Sequence, residues 1–275
     1  MDLRKKFPRV FFIVALSFLT LLPGASAFDH SAWDAFLKQH VDEKGNVNYG
    51  AVASDPKPLQ DYLSSLAAVK ELDMKTWPRE EQLAFWLNAY HAVLIMLVVE
   101  HYPVSSVLRI PGFWDISRFK FGKLSKEQRQ YSLNIIRNQD LMMVFHDEKI
   151  QLALSLAARG GPRLTREAFT GPRVEGQLFL LTREFVNNPA FVDVTPGRKK
   201  IRLSKIFKWY GKDFKLNFGT PEPFGKFSVE DTSVLAFLAY YLADETQGEF
   251  LHQGAYKIEY PAFDWDLNDH KGSGA

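Results

Sequence analysis

A nearly all-apolar run, QLAFWLNAYHAVLIMLVVEHYP at residues 82–103, limits the possible folds of this chain more than any other feature. Its apolar residues cover every face of a helix, and a helix of that kind is buried in a protein core or in a membrane. Asn88, Tyr90 and His91 interrupt the run, and charged residues flank it closely. We therefore predict a central core helix, around which the rest of the chain packs.

The N-terminal residues have the three parts of a secretory signal peptide. A basic region (RKKFPR, residues 4–9) precedes an apolar region (VFFIVALSFLTLL, residues 10–22), and the small residues ASA follow at 25–27. The apolar region is shorter than the roughly 20 residues that a membrane-spanning helix needs. The sequence thus predicts cleavage near Ala27, a periplasmic or secreted location, and a mature chain (residues 28–275) with no transmembrane segment.

The composition argues against several classes of function. Removal of the signal peptide takes away four basic residues and one acidic residue, which changes the formal net charge from +2 to −1. A chain so close to neutrality has no strong general attraction for nucleic acid or for anionic membranes. The sequence also contains no cysteine, which excludes a thiol nucleophile, a thiolate metal ligand and a disulfide within the chain.

The residue pattern is typical of a helix-dominated α+β domain. Besides the central helix, apolar spacing predicts helices over residues 30–41, 55–70, 125–138 (with a capping box of Ser125 and Gln128), 174–187, 204–214 and 230–243. Alternation predicts short strands at 47–49 and 118–122, a β-hairpin over 191–203 and an extended end over 256–265. No repeat or long linker divides the chain, so we predict a single domain over residues 28–275.

Two polar residues of the central helix are candidate site residues. Asn88 and His91 are three residues apart and so share one helical face, with Glu81 further along it. This polar face could line a cleft in which His91 acts as a base or a ligand. Alternatively, Asn88 and His91 could be core groups that hydrogen-bond to neighbouring loops, which is the more common arrangement for buried polar residues.

Two charged segments lack a specific motif. Residues 197–215 (GRKKIRLSKIFKWYGKDFK) could bind an anionic polymer, but a turn, a strand and a helix that buries Ile206, Phe207 and Tyr210 explain the pattern better. Residues 264–269 (DWDLND) lack the mid-loop glycine and distal glutamate of a calcium loop. Since metal-ligand spacing, nucleophile motifs and phosphate-binding glycine loops are also absent from the sequence, we predict no metal, no cofactor and no nucleic-acid partner.

Five blocks of the sequence resemble, in order, the landmarks of the DUF547 family. They are REEQLAFWLNAYHAVLI, YSLNIIRN, IQLALSLAARGGPRL, IRLSKIFKWYGKDF and FDWDLN. The resemblance runs from about residue 47 to residue 268, and the FWLNAY helix and the LSKIFKWY…DF block are its most specific parts. Because the family is named for its unknown function, the resemblance implies a fold but no reaction.

The resemblance also shows where this chain departs from the family. Typical members look like Ser-Leu-x-x-Ile-Glu-His, followed after a gap by Ile-His-Phe-Ala-Leu-Asn-Cys-Ala-Ser-x-Ser-Cys-Pro. In an ungapped comparison, the family's Glu, its two His, its Asn and its two Cys fall, in chain order, on Arg137, Asn138, Gln151, Ser155, Leu156 and Gly161. This chain thus keeps the frame of the family's motif but replaces its reactive side chains.

The family's cysteines allow two interpretations. They could form a structural disulfide that this chain has lost as a pair, or Cys, His and Glu could form a site in which an imidazole activates a thiol. Since the His and Glu positions are replaced as well, we favour a thiol site that has lost its chemistry, with Leu156 filling its space. Arg159, beside Gly160 and Gly161, could bind an anion with the help of exposed backbone N–H groups, or could lie in a surface turn.

The sequence supports two functional hypotheses for an exported protein. The first is a non-catalytic binding or accessory protein for an unknown ligand or protein of the cell envelope. The second is a hydrolase or transferase that uses acid–base residues around His91. An open pocket with His91 at its floor would favour the enzyme, and a filled core would favour the binding protein. The candidate cleft residues are Asn88, His91, Asn138, Gln151, Ser155 and Arg159.

Overall fold

The central helix spans Arg79–Val99 in the computed structural model, which describes residues 28–117, 119–120, 130–219 and 227–270. Every side chain from Leu83 to Val98 is buried. By length and composition this helix could cross a membrane, but 89% of its apolar window is buried inside the fold. The prediction of a central core helix is confirmed.

Helices supply most of the regular structure, so the predicted helix-dominated α+β class is confirmed. The α-helices of the described residues are Ser31–His40, Tyr49–Ser54, Lys57–Ala67, Glu71–Met74, Arg79–Val99, Leu133–Ile135, Met143–Phe145, Ile150–Ala153, Val174–Val186, Lys205–Tyr210, Lys215–Phe218, Val229–Tyr241 and Glu245–Gln253. A π-helical turn covers Ile136–Met142. In the same described part of the chain, 3₁₀ turns cover Val107–Arg109, Phe113–Asp115, Gly171–Arg173 and Gly211–Phe214.

The strands of the described residues form two small sheets. In the first, Phe119–Lys120 pairs antiparallel with Gln130–Tyr131. In the second, Val192–Asp193 pairs antiparallel with Lys200–Leu203, which pairs in parallel with Lys257–Glu259. The predicted β-hairpin is therefore confirmed. Its turn contains Gly197 at φ +80°, a conformation that costs glycine little.

The segment around Val47 differs from its prediction as a strand. Val47 makes only single bridges, to Val41 and Asp269. Tyr49 already begins a helix, because the Asn48 side chain accepts a hydrogen bond from the backbone N–H of Ala51 at 3.0 Å. Asn48 thus acts as a helix N-cap, and local capping prevails over the short apolar alternation.

Of the helix predicted over residues 125–138, the described part begins at Leu133. The proposed cap, Ser125 with Gln128, lies outside the described residues, as do positions 118, 121 and 122 of the strand predicted beside it. Ser132 is the N-cap instead, accepting a hydrogen bond from the N–H of Ile135 at 3.3 Å. From there a helical stretch continues through the π-helical turn to Phe145. The helix Glu245–Gln253, which Asp244 caps through the N–H of Thr246, was not predicted.

The buried side chains of the described residues form two hydrophobic clusters. One surrounds the central helix, and the other lies between the β-hairpin and the helix Val229–Tyr241. The stretch of residues 151–162 lies at their junction, since Leu154 belongs to the first cluster and Leu156 to the second. Trp114 and Trp265 pack against both clusters.

The C-terminal segment (residues 256–270) returns to distant parts of the chain. Val47 donates a backbone hydrogen bond to Asn268, and His270 donates one to Val47, both at 2.8 Å. Arg159 and Gly160 donate to the carbonyls of Asp266 and Asp264, both at 2.9 Å. The C-terminal segment therefore joins the N-terminal loop to the 151–162 stretch.

Candidate functional site

The polar residues of the central helix are hydrogen-bonded inside the core. The Asn88 Oδ1 atom accepts from the backbone N–H of Phe169 at 3.0 Å, and Asn88 Nδ2 donates to the Phe169 carbonyl at 2.8 Å. His91 is 2% exposed, and its Nε2 atom accepts from the N–H of Ser155 at 3.1 Å. Burial lowers the pKa of His91 to about 4. Hydrogen bonds with the backbone of Leu87 and Ala153 act in the opposite direction and raise the pKa.

Three of the candidate cleft residues are therefore core residues. Asn88 and His91 hydrogen-bond to the backbone of neighbouring segments, in agreement with the alternative that they are core groups. Ser155 is buried as well, and its hydroxyl accepts from the N–H of Ala157 at 3.3 Å, a common local bond of serine. Glu81 is also buried, and Gly171 lies directly against it. Because Glu81, Asn88 and His91 are all buried, this polar face of the central helix does not line a cleft.

A cavity of about 190 Å³ lies beside Leu156. A cavity on the order of 150 Å³ accommodates one six-membered ring, so this space suits a small ligand. Leu133, Asn134 and Arg137 form one part of its lining. The rest of the lining is aromatic and consists of Tyr90, Trp114, Trp209, Tyr210 and Trp265. We call this space the aromatic cavity.

Arg137 is held in one orientation at the wall of the aromatic cavity. Its guanidinium carbon lies 3.8 Å from the centroid of the Tyr210 ring. Its Nε atom donates to Gln151 Oε1 at 3.0 Å, and its Nη1 atom donates to Asn138 Oδ1 at 2.9 Å. Gln151 Nε2 in turn donates to Asp213 Oδ2 at 2.8 Å, and Arg137 Nη2 lies 3.8 Å from that oxygen. The planar cation thus has a fixed position and a nearby counter-charge.

Local structure explains how these groups meet. Arg137 lies in the π-helical turn Ile136–Met142, and π-helical turns occur frequently at functional sites. Asp213 comes from the 3₁₀ turn Gly211–Phe214. Burial raises the pKa of the Asp213 carboxyl, and the positive charge of Arg137 opposes that increase. The two charges therefore stabilise each other in a partly dehydrated site.

Replacing Arg137 with leucine is expected to destabilise the protein by about 1–3 kcal/mol, because Gln151 and Asp213 lose a partner while they stay largely buried. Arg137→Lys should not restore the loss, since lysine lacks the planar face and the fork of donors. Denaturant unfolding of both variants and of the natural protein measures the change in the free energy of unfolding. The double variant Arg137→Leu/Asp213→Asn should be more stable than Arg137→Leu alone. If the stability losses of the two single variants simply add, Arg137 and Asp213 are not coupled.

Arg159 is exposed, and its surroundings bear on the two alternatives for it, an anion site or a surface turn. The backbone N–H groups of Arg159 and Gly160 already donate to carbonyls of the C-terminal segment, and Gly161 donates to Ala158 at 3.1 Å. Neighbouring carbonyls thus occupy these backbone donors, which favours the alternative of an arginine in a surface turn. Asn138 is also exposed, at the surface beside Arg137.

The other charged segments behave as structural elements. Four basic residues of residues 197–215 form ion pairs: Arg198 and Arg202 with Asp193, Lys200 with Glu259, and Lys215 with Glu230. Ile206 and Phe207 are buried as predicted, whereas Tyr210 is only half-buried, beneath Arg137. Among the described residues, no group of three or more His, Asp or Glu side chains is placed to hold a metal ion.

The positions of the family's cysteines, Leu156 and Gly161, are close enough for a cross-link. A Cβ atom added to Gly161 would lie 3.4 Å from the Cβ of Leu156, near the roughly 3.5–4.5 Å of disulfides. Arg137 and Gln151 lie at the positions where the resemblance implies Glu and His, and a hydrogen bond joins these two side chains to each other. The geometry thus gives the cysteine pair a structural explanation that needs no reactive thiol, against our preference from the sequence.

We expect the double variant Leu156→Cys/Gly161→Cys to form this cross-link on oxidation. A disulfide that closes so short a loop should make the oxidised form more stable than the reduced form by about 2 kcal/mol. Mass spectrometry after alkylation and melting with and without reductant measure the two effects. The single variant Leu156→Cys is the control, and free thiols in the oxidised, folded double variant would contradict the prediction.

Sequence reasoning missed the aromatic wall and Asp213, although the signal was present. Tyr90 lies in the FWLNAY block, Trp209, Tyr210 and Asp213 lie in the KWYGKDF block, and Trp265 lies in the FDWDLN block. These blocks carry the resemblance to DUF547, but aromatic residues at helical spacing are more often core residues. Only the three-dimensional structure shows that aromatic residues of these three blocks line the same cavity.

The comparison with known families agrees with the resemblance. The model of "Protein of unknown function, DUF547" matches residues 74–186. These residues include the central helix, the π-helical turn with Arg137, and the 151–162 stretch. The predicted resemblance to DUF547 is therefore confirmed over residues 74–186, and the absence of cysteine is consistent with a degenerate member. No curated protein and no solved structure matches the chain.

Proposed function

We propose that this protein is an exported, non-catalytic binding protein whose ligand site is the aromatic cavity. One observation carries the proposal. Arg137 and Gln151 occupy the positions where the resemblance implies Glu and His. Neither can exchange a proton near neutral pH. Arg137 and Gln151 instead hold each other in place at 3.0 Å.

The shape of the aromatic cavity supports a binding role. Small-molecule sites are concave, largely apolar, and carry a few fixed polar groups. The aromatic cavity has this composition, with Arg137 and Asn134 as polar groups among aromatic side chains. Because Arg137 is already oriented by its neighbours, ligand binding would not have to immobilise a flexible side chain.

The alternative of a hydrolase or transferase around His91 has no support in the geometry. A general base must reach the proton that it removes, directly or through one water. His91 Nε2 already accepts the N–H of Ser155, and the ring is 2% exposed. The pKa of about 4 also keeps the imidazole neutral at physiological pH. We therefore give priority to the binding role.

The proposal of export depends on the N-terminal sequence, which lies outside the described residues. Expression of the full chain in a bacterial host should yield a protein that begins at Phe28, recovered from the periplasm or the medium. Intact mass measurement tests this prediction. A recovered protein that retains residues 1–27 would contradict export with cleavage after Ala27.

A thermal-shift screen against cell-envelope metabolites and glycans tests the binding role. A true ligand should raise the melting temperature of the natural protein but not of Asn134→Trp, since the new indole would fill the aromatic cavity. Leu180→Trp is the matched control, because Leu180 is 66% exposed on another helix. Equal stabilisation of all three proteins would place the ligand elsewhere, and turnover of a bound compound would contradict the non-catalytic role.

A further inference from the structure

We propose that the aromatic cavity binds a neutral sugar ring. This inference rests on the proposed function, since it names the ligand class of the same site. Three features of the aromatic cavity support it: flat aromatic walls, a tyrosine hydroxyl without a described hydrogen bond, and a cation whose charge is offset. Its volume of about 190 Å³ limits the ligand to about one ring.

The first feature is an exposed indole that its neighbours hold in place. Trp209 is 38% exposed. Its ring stacks on Trp265 with centroids 5.6 Å apart and an interplanar angle of 28°, and it lies 5.0 Å from Phe263. Burying so large an aromatic surface against a ligand is favourable. A pyranose presents C–H groups on its ring faces, so it can pack flat on such an indole.

The second feature is the hydroxyl of Tyr90. Tyr90 is 1% exposed and lines the aromatic cavity. No hydrogen bond to its hydroxyl is found among the described residues, and the hydroxyl is not one of their fully buried atoms without a partner, so it keeps some access to the aromatic cavity. Burial also raises the pKa of Tyr90, so the hydroxyl stays neutral and can both donate to and accept from a sugar hydroxyl.

The third feature is the balance of charge. Arg137 Nη2 lies 3.8 Å from Asp213 Oδ2, so the carboxylate offsets the guanidinium. An anionic ligand would gain little from a cation that is already compensated. The hydroxyls of a neutral sugar can still accept hydrogen bonds from Arg137. They can also donate to the side-chain oxygen of Asn134, whose Nδ2 atom already donates to Asp115 Oδ1 at 2.8 Å. This mixture of donors and acceptors suits a sugar better than a carboxylate.

Tryptophan fluorescence can follow binding directly, because three tryptophans line the aromatic cavity. The protein, purified after expression of the full chain, is titrated with glucose, galactose and N-acetylglucosamine. Glucuronate tests the effect of a carboxylate on the same ring, and benzoate tests an aromatic acid without a sugar. We expect saturable binding of at least one neutral sugar, and at least fivefold weaker binding of glucuronate and benzoate.

Three variants locate the sugar. Tyr90→Phe removes only the hydroxyl and should weaken binding about tenfold, as expected for one lost hydrogen bond. Trp209→Ala removes the stacking surface and should weaken binding at least tenfold. Tyr240→Phe is the matched control, because Tyr240 is 70% exposed and lies outside the cavity lining, so its affinity should equal that of the natural protein.

Each contrary result has a distinct meaning. Binding of benzoate or glucuronate without any neutral sugar would overturn the sugar assignment and leave the binding role intact. Sugar binding that Tyr90→Phe and Trp209→Ala do not weaken would place the sugar elsewhere and overturn the inference. Failure of all these probes would overturn the sugar assignment, and failure of the whole thermal-shift screen as well would overturn the binding role.

Discussion

Lowering the pH from 7.5 to 4.5 is expected to reduce the free energy of unfolding by on the order of 5 kcal/mol through two buried histidines. Burial lowers the pKa of both His30 and His91 from 6.5 to about 4. Between those two values, the unfolded chain binds protons that the folded protein does not bind. The stability that depends on neutral histidines is therefore fully present above pH 6.5 and is lost as the pH falls towards 4.

The surroundings of His30 explain its share of this effect. Its Nδ1 atom lies 2.7 Å from the Tyr62 hydroxyl, and its ring packs 4.8 Å from Phe28 and 6.4 Å from Phe85. An aromatic enclosure of this kind cannot solvate an imidazolium ion. Burial raises the pKa of Glu148, and that group acts in the opposite direction, since its neutral form favours the fold at low pH.

Denaturant unfolding at intervals between pH 7.5 and 4.5 measures the effect. His91→Gln keeps an acceptor for the Ser155 N–H but cannot bind a proton. Its slope of stability against pH should therefore be smaller by about 1.4 kcal/mol per pH unit near pH 5. A natural protein whose stability is constant across this range would show that both histidines are accessible to solvent.

Asn88→Leu is expected to cost about 3–5 kcal/mol, the largest loss for a single substitution that we predict. The change leaves the buried N–H and carbonyl of Phe169 without partners, and each unsatisfied group costs about 1–3 kcal/mol. Asn138→Leu is the matched control, because Asn138 is exposed, and its cost should stay below about 1 kcal/mol. An equal loss in both variants would mean that burial of the amide is unimportant.

Much of the fold could be predicted because its signals are local. The central helix is apolar throughout, and the helix Val174–Val186 and the β-hairpin have regular apolar spacing and a glycine turn. The segment at Val47 was mispredicted for the opposite reason. Its backbone partners are Asn268 and His270, near the other end of the sequence, so no local pattern could show that only single bridges form.

The site was less predictable, for two physical reasons. In a helix buried on every side, polar residues such as Asn88 and His91 are buried too, so a shared face does not indicate a cleft. The aromatic cavity, moreover, is assembled from separate segments, and residues such as Trp114 and Trp265 have the same appearance in the sequence as core residues. The resemblance marked Arg137 and Gln151, but not their contact with Asp213.

The hydrogen bonds of the C-terminal segment also set the order in which this protein can complete its fold. Val47 receives its backbone partners from Asn268 and His270, which the ribosome adds long after Val47. Contacts between such distant residues slow folding, because a long loop must close before they form. The N-terminal loop at Val47 therefore stays without these partners until residues 268–270 have been added to the chain.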